Sequence, residues 1–185
     1  LRVSVSPRMP GPTFIEGDRV DLCAVAEDDV AFLQETVNDP AVWPNIGARR
    51  PLTRKQEQEW YEERASDDNG DVNFVVAVDD DPVGSLGLAG VDDPNGSAEI
   101  GIFLAEDAWG EGYGTEASRL AVDYAFQQLR RHRVVARVFE FNDASARVWE
   151  RLGFELDGRH RDEMFLDGEY HDVRYYSVLE GEWDG

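Results

Sequence analysis

Three glycines alternate with other residues in one short loop, and this spacing is suited to binding a phosphate group. The loop consists of Trp109, Gly110, Glu111, Gly112, Tyr113, Gly114 and Thr115. Glycine permits positive φ and a close approach of the backbone to a ligand. A helix is predicted to begin at Thr115, and unpaired N–H groups at a helix start attract anions. We interpret the loop as a pyrophosphate site, and a glycine-rich turn without a ligand is the alternative.

The surroundings of the loop exclude several other nucleotide sites. A dinucleotide fingerprint needs a strand, loop and helix within a parallel sheet, whereas this loop follows a meander of short-linked strands. No Gly-Lys-Ser/Thr follows, so the loop is not a P-loop. The sequence also lacks a kinase motif set and a Gly-x-Ser-x-Gly elbow. The interpretation that remains is a cofactor whose pyrophosphate is held by backbone N–H groups.

Cysteine and histidine, which often carry chemistry, are scarce. Cys23 is the only cysteine, so an internal disulfide and a thiolate metal cluster are excluded. We interpret Cys23 as a small buried apolar residue. The histidines His132, His160 and His171 are not spaced as ligand pairs on a helix, and we predict no metal.

The chain is strongly acidic, with a formal net charge of −21 and Lys55 as the only lysine. Nucleic acid is therefore not an expected partner, since phosphate backbones favour a basic surface. Two interpretations of the acidity stay open. The surface is adapted to concentrated salt, as in the acidic proteome of a halophile, or the acidity attracts a cationic substrate. The carboxylates are spread along the chain, which favours salt adaptation.

No stretch of the sequence predicts a membrane span or a signal peptide. No window approaches the roughly 18 consecutive apolar residues that cross a bilayer. Residues 1–12 contain Pro and Gly but no apolar run. We expect a soluble, cytoplasmic protein without a membrane partner.

The first half of the chain is predicted to form a strand, two helices and a three-stranded meander. Alternating polar and apolar residues indicate a strand at 19–25. A helix follows and ends before Asp39, and Thr53 with Gln56 forms a capping box that opens a second helix. Turn residues bound the next three strands, predicted at 72–78, 83–91 and 97–104.

The second half is predicted to alternate helices and strands and to end in a hairpin. Apolar residues recur at helical spacing from Thr115. A strand at 134–139 and a helix capped by Asn142 follow, before hairpin strands at 155–165 and 170–179. The predicted order is β-α-α-β-β-β-α-β-α-β-β. We expect one domain at 13–181, after an irregular segment at 1–12 and before a tail at 182–185.

Short motifs along the chain resemble those of the GNAT superfamily of N-acetyltransferases, and they stand in the same order. The motifs lie at residues 98–102, 109–117, 142–145, 151–154 and 170–173. They look like the RimJ/RimL-like branch, which acetylates the N-termini of ribosomal proteins. The resemblance covers residues 13–181. It implies an α/β (α+β) GNAT fold, whose central mixed, mostly antiparallel sheet has about seven strands flanked by about four helices.

The resemblance implies acetyl-CoA as the cofactor and coenzyme A as a product. In the family, the pantetheine arm binds the backbone of the strand before the glycine loop, which splays from its neighbour. Backbone N–H groups from Gly110 to Thr115 would hold the pyrophosphate, with Trp109 where the family often has Gln or Arg. The predicted cofactor contacts are Ile102, Phe103, Leu104, Trp109, Gly110, Glu111, Gly112, Tyr113, Gly114, Thr115, Asn142, Ser145 and Trp149.

The group that protonates the leaving thiolate departs from the family pattern. Many GNAT enzymes use a Tyr on the helix after the fifth strand, and here that place holds Trp149, whose indole is not a suitable acid. Ser145 lies one helical turn earlier on the same face. We predict Ser145 as the thiolate donor, with an ordinary first-turn residue as the alternative. Asn142 is expected to contact pantetheine or a water.

The base that takes a proton from the attacking amine is predicted among carboxylates. Glu99 ranks first, because burial beside the cleft would raise its pKa toward a useful value. The RimJ/RimL-like branch is thought to use a glutamate where this chain has Met164. Glu163 is adjacent, but in a strand it would face the opposite side. Glu163 is therefore a weaker candidate, followed by Asp172, and an exposed strand residue is the alternative for Glu99.

The resemblance implies an acetyltransferase that acts on a primary amine, either a protein N-terminus or a small molecule. The alternative is a non-catalytic acyl-CoA sensor or interaction module with the same fold. Trp43, Trp60 and Tyr61 are interpreted as core residues rather than as the lining of the acceptor cleft. The family also suggests a homodimer.

Overall fold

A computed structural model describes residues 10–65, 70–91 and 93–185 and contains an eight-stranded sheet. The strand order is β1-β2-β3-β4-β5-β6-β8-β7. The pairs are antiparallel except for β5 with β6, which is parallel. The strands are β1 (Thr13–Ile15), β2 (Asp21–Ala24), β3 (Val72–Val78), β4 (Asp81–Ala89), β5 (Ser97–Leu104), β6 (Arg133–Phe139), β7 (Glu155–Leu166) and β8 (Glu169–Leu179).

Four α-helices flank this sheet in the described part of the chain. They are α1 (Val30–Val37), α2 (Arg54–Trp60), α3 (Tyr113–Gln127) and α4 (Asp143–Arg151). The predicted capping box of α2 is present, since the Thr53 hydroxyl accepts from the Gln56 N–H and the Gln56 side chain accepts from the Thr53 N–H. Asn142 caps α4 through its side-chain oxygen, as predicted. None of the described helices is long and apolar enough to cross a membrane.

The two faces of the sheet carry different helices. On one face, α3 and α4 pack on a continuous core that includes Ile100, Ala121 and Trp149. On the other face, α1 and α2 lie over β3, β4 and β5 and leave a cavity between helices and sheet. Because side chains alternate along a strand, each strand supplies one set of residues to the core and another to the cavity.

The parallel pair β5–β6 opens partway along its length. Ser97 to Ile100 pair with Arg133 to Ala136, and the pairing stops there. The following residues of β5 remain paired with β4 as far as Leu104, opposite Gly84. The two strands therefore splay, as the resemblance implies, and one backbone edge of β5 is left open beyond Ile100.

The predicted fold class is confirmed, with differences at the ends of elements. The sheet has eight strands rather than about seven, because β1 is too short to show alternation in sequence. β4 starts at Asp81 because Asp79 and Asp80, with φ of 50° and 64°, form the whole turn. α3 starts two residues before Thr115 because Gly112, in the left-handed region, precedes its first turn.

Two predicted features fall partly outside the described residues. Residues 1–9 of the predicted irregular segment lie outside them, as does Asp92 of the turn between β4 and β5.

Candidate active site

The open edge of β5 is the first part of the candidate site. Ile102 and Phe103 pair with β4 on one side and have no strand partner on the β6 side within the described residues. The carbonyl of Leu104 accepts a hydrogen bond of 2.9 Å from the Trp109 indole N–H. Trp109 therefore ties the end of the open strand to the glycine loop. An extended ligand can add to this edge as a further strand would.

The glycine loop is the second part, and it offers a row of backbone donors. Gly110 and Gly112 have φ of 83° and 87°, a region that glycine adopts without strain. Within the described ranges, the N–H groups of residues 110–114 have no backbone acceptor. The Thr115 N–H donates to the Gly112 carbonyl at 3.1 Å, so it is less available than predicted.

The loop fits a pyrophosphate by its open space as well as by its donors. A Cβ added at Gly110 would meet no heavy atom within 4 Å, so a ligand can approach the backbone there. The N–H groups of Tyr113 and Gly114 lie in the first turn of α3, where the helix dipole favours an anion. The loop is therefore suited to the pyrophosphate that the sequence led us to expect.

Arg19 holds the loop in place, and sequence reasoning missed it. Its guanidinium donates to the Glu111 carbonyl at 3.1 Å and to the Glu116 carboxylate at 3.0 Å. It also lies over the Tyr113 ring, 5.3 Å from the centroid. Arg19 and Glu116 are 97 residues apart in the sequence, so no local pattern predicts their contact.

Glu116 receives several hydrogen bonds at this junction. Its carboxylate accepts from the backbone N–H groups of Arg19 at 2.7 Å and Val20 at 3.2 Å. Partial burial acts to raise the pKa of Glu116, but these hydrogen bonds and the Arg19 guanidinium lower it below the ordinary value of 4.5. The ionised carboxylate thus anchors α3 to the start of β2.

The start of α4 brings Asn142, Ser145 and Trp149 together at the carboxyl end of β6. The Asn142 side-chain oxygen accepts from the Ser145 N–H at 3.0 Å. The Trp149 indole N–H donates to the Ser145 hydroxyl oxygen at 3.2 Å. Trp149 is buried in the core with 2% of its surface exposed, so it reaches the site through Ser145. Because the Ser145 oxygen accepts from the indole, its own proton is free to be donated.

Glu99 is less buried than the sequence suggested. Half of its side chain is exposed, and its carboxylate lies 3.8 Å from the Arg137 guanidinium. The expectation of a buried Glu99 was wrong, because its position on the cavity face of β5 lies beyond the cover of α1 and α2. Glu99 lines a smaller cavity of about 210 Å³ beside the main one.

Glu163 and Asp172 have charged partners of their own. The Glu163 carboxylate accepts from Tyr175 at 2.8 Å and Arg137 at 2.9 Å, and it contacts His160 at 2.7 Å. Burial acts to raise the pKa of Glu163, but these three neighbours lower it below its usual value, which weakens it as a base. Asp172 pairs with Arg159 at 3.0 Å.

The pKa of Arg137, at the centre of this group, is raised. Burial acts to lower it, but the neighbouring Tyr175, Glu99 and Glu163 raise it above the ordinary value. Met164 is buried with 5% of its surface exposed. The expectation that Glu163 faces the opposite side from Met164 was wrong, because β7 has a register shift between His160 and Met164 that interrupts the alternation of side chains.

A cavity of about 320 Å³ lies between the α1–α2 layer and the sheet. Its polar lining is Glu57, Asn73 and Ser85. Its apolar lining is Leu33, Val37, Leu52, Trp60 and Phe103. Trp60 therefore lines the cleft, whereas core packing was the favoured interpretation of this residue. Phe103 belongs to the open strand, so the cavity adjoins the predicted pantetheine site.

Glu57 is the residue of this cavity that sequence reasoning missed. It is 5% exposed, and its carboxylate has no hydrogen-bond partner within the part of the chain that the structure describes. Burial raises the pKa of Glu57 to about 7, although the Arg54 charge acts to lower it. Its position three residues before Trp60 puts both side chains on one face of α2, which is the signal that could have found it.

The described residues contain no group of three or more His, Cys, Asp or Glu side chains arranged around a common metal position. Cys23 is 1% exposed, and burial raises the pKa of its thiol. It lies in the small cluster with Val75 and Ala77, away from the cavity lining.

Sequence relatives of this chain are N-acetyltransferases by name. The chain is 37% identical over 118 residues to the putative ribosomal N-acetyltransferase YdaF of Bacillus subtilis, which covers 62% of this chain and 64% of YdaF. The match thus spans less than two thirds of that relative. It is 35% identical over 127 residues to the probable N-acetyltransferase YjcK of the same organism, covering 68% of this chain and 70% of YjcK.

A solved structure and a family match agree with these relatives. The spermidine N-acetyltransferase from Vibrio cholerae, solved in complex with CoA and spermine, has a TM-score of 0.82 and 25% identity, covering 89% of this chain and 97% of that one. Residues 19–155 match the acetyltransferase (GNAT) domain, a range that includes the open strand, the glycine loop and α4. The chain therefore belongs to the GNAT acetyltransferase family.

Proposed function

We propose that the protein transfers the acetyl group of acetyl-CoA to a primary amine by direct attack of the amine on the thioester. The observation that carries this proposal is the open edge of β5 beyond Ile100, which leads to backbone N–H groups at residues 110–114 that have no backbone acceptor among the described residues. The open edge of β5 suits an extended arm that carries amide groups, and the N–H groups of the loop suit a pyrophosphate. The family supports this activity.

Backbone groups would hold the donor and side chains would handle protons. Ile102 and Phe103 present their open edge to the pantetheine arm, and Gly110, Gly112 and Gly114 let the loop approach the pyrophosphate. When bound, acetyl-CoA supplies an acetyl group activated as a thioester. The Ser145 hydroxyl, oriented by the Trp149 indole, would donate its proton toward the leaving sulfur.

The acceptor is an amine, either a protein N-terminus or a small molecule. YdaF carries a ribosomal name and the Vibrio cholerae enzyme was solved with spermine, so the relatives span both classes. RimJ/RimL-like activity on a protein N-terminus therefore stays one of two acceptor proposals. A homodimer is a further prediction from the family, and light scattering in solution tests it.

The competing proposal is a non-catalytic acyl-CoA-binding module. Trp149 and Met164 favour it, because they stand where the family pattern places an acid and a base. Neither excludes catalysis, since Ser145 offers a donor and Glu57 a carboxylate beside the open strand.

Thiol release from acetyl-CoA, measured with a panel of amines, tests the proposed activity. The panel contains N-terminal peptides, polyamines, arylalkylamines and amino sugars, and mass spectrometry checks the acetylated product. Amine-dependent thiol release is expected for at least one member. Calorimetric binding of acetyl-CoA without release for any amine would favour the non-catalytic module.

A further inference from the structure

The main cavity exists because two adjacent strands lack side chains on the face under α1 and α2. Gly87 of β4 pairs directly with Gly101 of β5, and both line the cavity. A Cβ added at Gly101 would meet no heavy atom within 4 Å, whereas one added at Gly87 would lie 3.0 Å from the Asn73 side chain. The glycine pair thus forms an open floor beneath the helices.

The walls above this floor suit an apolar group with one cationic end. Leu33, Val37 and Trp60 supply apolar surface from the helices, and Phe103 supplies it from the open strand. Glu57 is the only acidic residue among the described residues that line the cavity. A carboxylate that is 5% exposed and lacks a described hydrogen-bond partner is costly to bury unless a cationic ligand compensates it.

Carboxylates in the adjoining smaller cavity differ from Glu57 in having partners. The Asp71 carboxylate accepts from the Gly90 N–H at 3.0 Å, and Glu99 lies 3.8 Å from the Arg137 guanidinium. The described lining of the main cavity therefore provides one carboxylate without a hydrogen-bond partner rather than a row of carboxylates. This arrangement favours a monoamine on an apolar stem over a polyamine.

We infer that this cavity is the acceptor site and that Glu57 binds the ammonium group of the acceptor and takes its proton. The stem of an alkyl or arylalkyl amine fills the space above Gly101, between Trp60 and Phe103. This inference rests on the proposed function. It deepens that function by naming the acceptor class and a base other than Glu99.

The step removes two protons from the acceptor nitrogen and leaves one electron pair on sulfur. The ammonium proton passes to the Glu57 carboxylate, and the nitrogen lone pair forms the C–N bond to the acetyl carbon. The C–S bond breaks with its electron pair going to sulfur. Ser145 gives its hydroxyl proton to the thiolate and takes the second proton of the acceptor nitrogen in its place. Glu57 then releases its proton to solvent.

The electrostatic surroundings of Glu57 suit this role. Burial raises the pKa of Glu57 to about 7, and a base with a pKa near the working pH is the most effective. The other charged groups near the carboxylate are Arg54 on its own helix, and Asp71 and Glu99 in the adjoining cavity. α1 presents only apolar side chains, Leu33 and Val37, to the cavity.

The first test compares Glu57→Gln with Glu59→Gln, using phenethylamine as the acceptor. Glu59 lies on the same helix, is half exposed and pairs with Lys55, so it controls for the loss of a charge. Glu57→Gln should lower kcat/KM for phenethylamine about 100-fold and remove the acidic limb of its pH profile near pH 7. The KM for acetyl-CoA should change less than about twofold. Equal values for both variants, or an unchanged acidic limb, would overturn the inference.

A second variant tests the cavity without touching Glu57. Gly101→Val should fill the floor and raise the KM for phenethylamine about tenfold or more, while CoA affinity stays near that of the wild type. The site at Gly101 has room for the new side chain and valine suits a strand, so the variant should fold. An unchanged KM would overturn the location of the acceptor.

Calorimetry separates this inference from the proposed activity. Phenethylamine is titrated into wild-type protein and Glu57→Gln, each saturated with CoA. Binding by the wild type alone, without turnover, would leave the site intact and reject the transferase function. No binding and no turnover of phenethylamine, or a clear preference for spermidine, would reject the assignment of an apolar monoamine.

Discussion

The proposed cofactor half and the proposed acceptor half of the site are built from different parts of the polypeptide. The cofactor half uses backbone: the open edge of β5 and the N–H groups of residues 110–114. The acceptor half uses side chains from α1, α2 and three strands, with Glu57 among them. A backbone site tolerates changes of side chain, whereas a side-chain cavity can take a new ligand after a few substitutions. Relatives that share a cofactor and differ in acceptor are the expected result.

The largest expected effect concerns the free energy of unfolding, because burying the Glu57 charge in the acceptor half lowers stability. Burial raises the pKa of Glu57 from 4.5 to about 7. Between pH 4.5 and about pH 7, Glu57 therefore keeps its proton in the folded state and has lost it in the unfolded state. The stability contribution of Glu57 therefore decreases as the pH rises from 4.5 to about 7. Glu57→Gln should be more stable than the wild type at pH 8 by up to about 3 kcal/mol and nearly equal at about pH 4.

Urea unfolding at both pH values measures this difference, with Glu59→Gln as the control. The control should follow the wild type at each pH, because the Glu59 side chain is half exposed. A Glu57→Gln protein that is less stable than the wild type at pH 8 would mean that the carboxylate is a structural group. A more stable and less active variant is instead what a functional group buried at a cost produces.

The next effect concerns the backbone of the cofactor half. Gly112→Val places a Cβ at φ of 87°, where it would lie 3.3 Å from the Arg19 guanidinium. The strain should move the loop and weaken CoA binding about 30-fold, or about 2 kcal/mol. Calorimetric titration with CoA measures the change.

Glu111→Ala is the matched control for Gly112→Val. It keeps the carbonyl that Arg19 contacts and removes only the side chain. Its CoA affinity should stay within about twofold of the wild type. A larger loss of CoA affinity in Glu111→Ala than in Gly112→Val would contradict the contrast, because side chains rather than the backbone would then hold CoA.

Ser145 lies where the two halves meet, and Ser145→Ala should have a smaller effect than the variants above. Loss of the hydroxyl donor should lower kcat about tenfold, because a thiolate is a good leaving group and water can replace a missing donor. Substrate KM values should change little. The rate is measured by thiol release at saturating substrates, and an unchanged kcat would remove Ser145 from the mechanism.

The smallest effect is expected at the Arg19–Glu116 junction. The pKa of Glu116 is lowered, so its contribution to stability is present above its unfolded value of 4.5 and is lost as the pH falls through its folded value. Glu116→Gln should cost about 1 kcal/mol at pH 7 and less at about pH 3. Thermal unfolding at both pH values measures this, and an equal cost at each would show that ionisation of Glu116 is not the stabilising feature.

The parts of the fold that depend on local chemistry could be predicted from the sequence. The Thr53 capping box, the Asn142 cap and strand β3 lie where spacing and residue type placed them. The glycine loop was found for the same reason, since positive φ and a helix start are local properties. The resemblance added that β5 should splay, which its pairing confirms.

What the sequence alone determined is therefore the type of each α-helix and of each strand except β1, the family and the position of the glycine loop, because these follow from short-range spacing. Only the tertiary structure decided which distant side chains meet. It exposed Glu99, placed Glu163 against a guanidinium, an imidazole and a phenol, and tied the glycine loop to Arg19. It also buried Glu57 over the Gly87–Gly101 floor. Burial and the pKa of a side chain depend on the register between elements far apart in the chain, and no local pattern specifies that register.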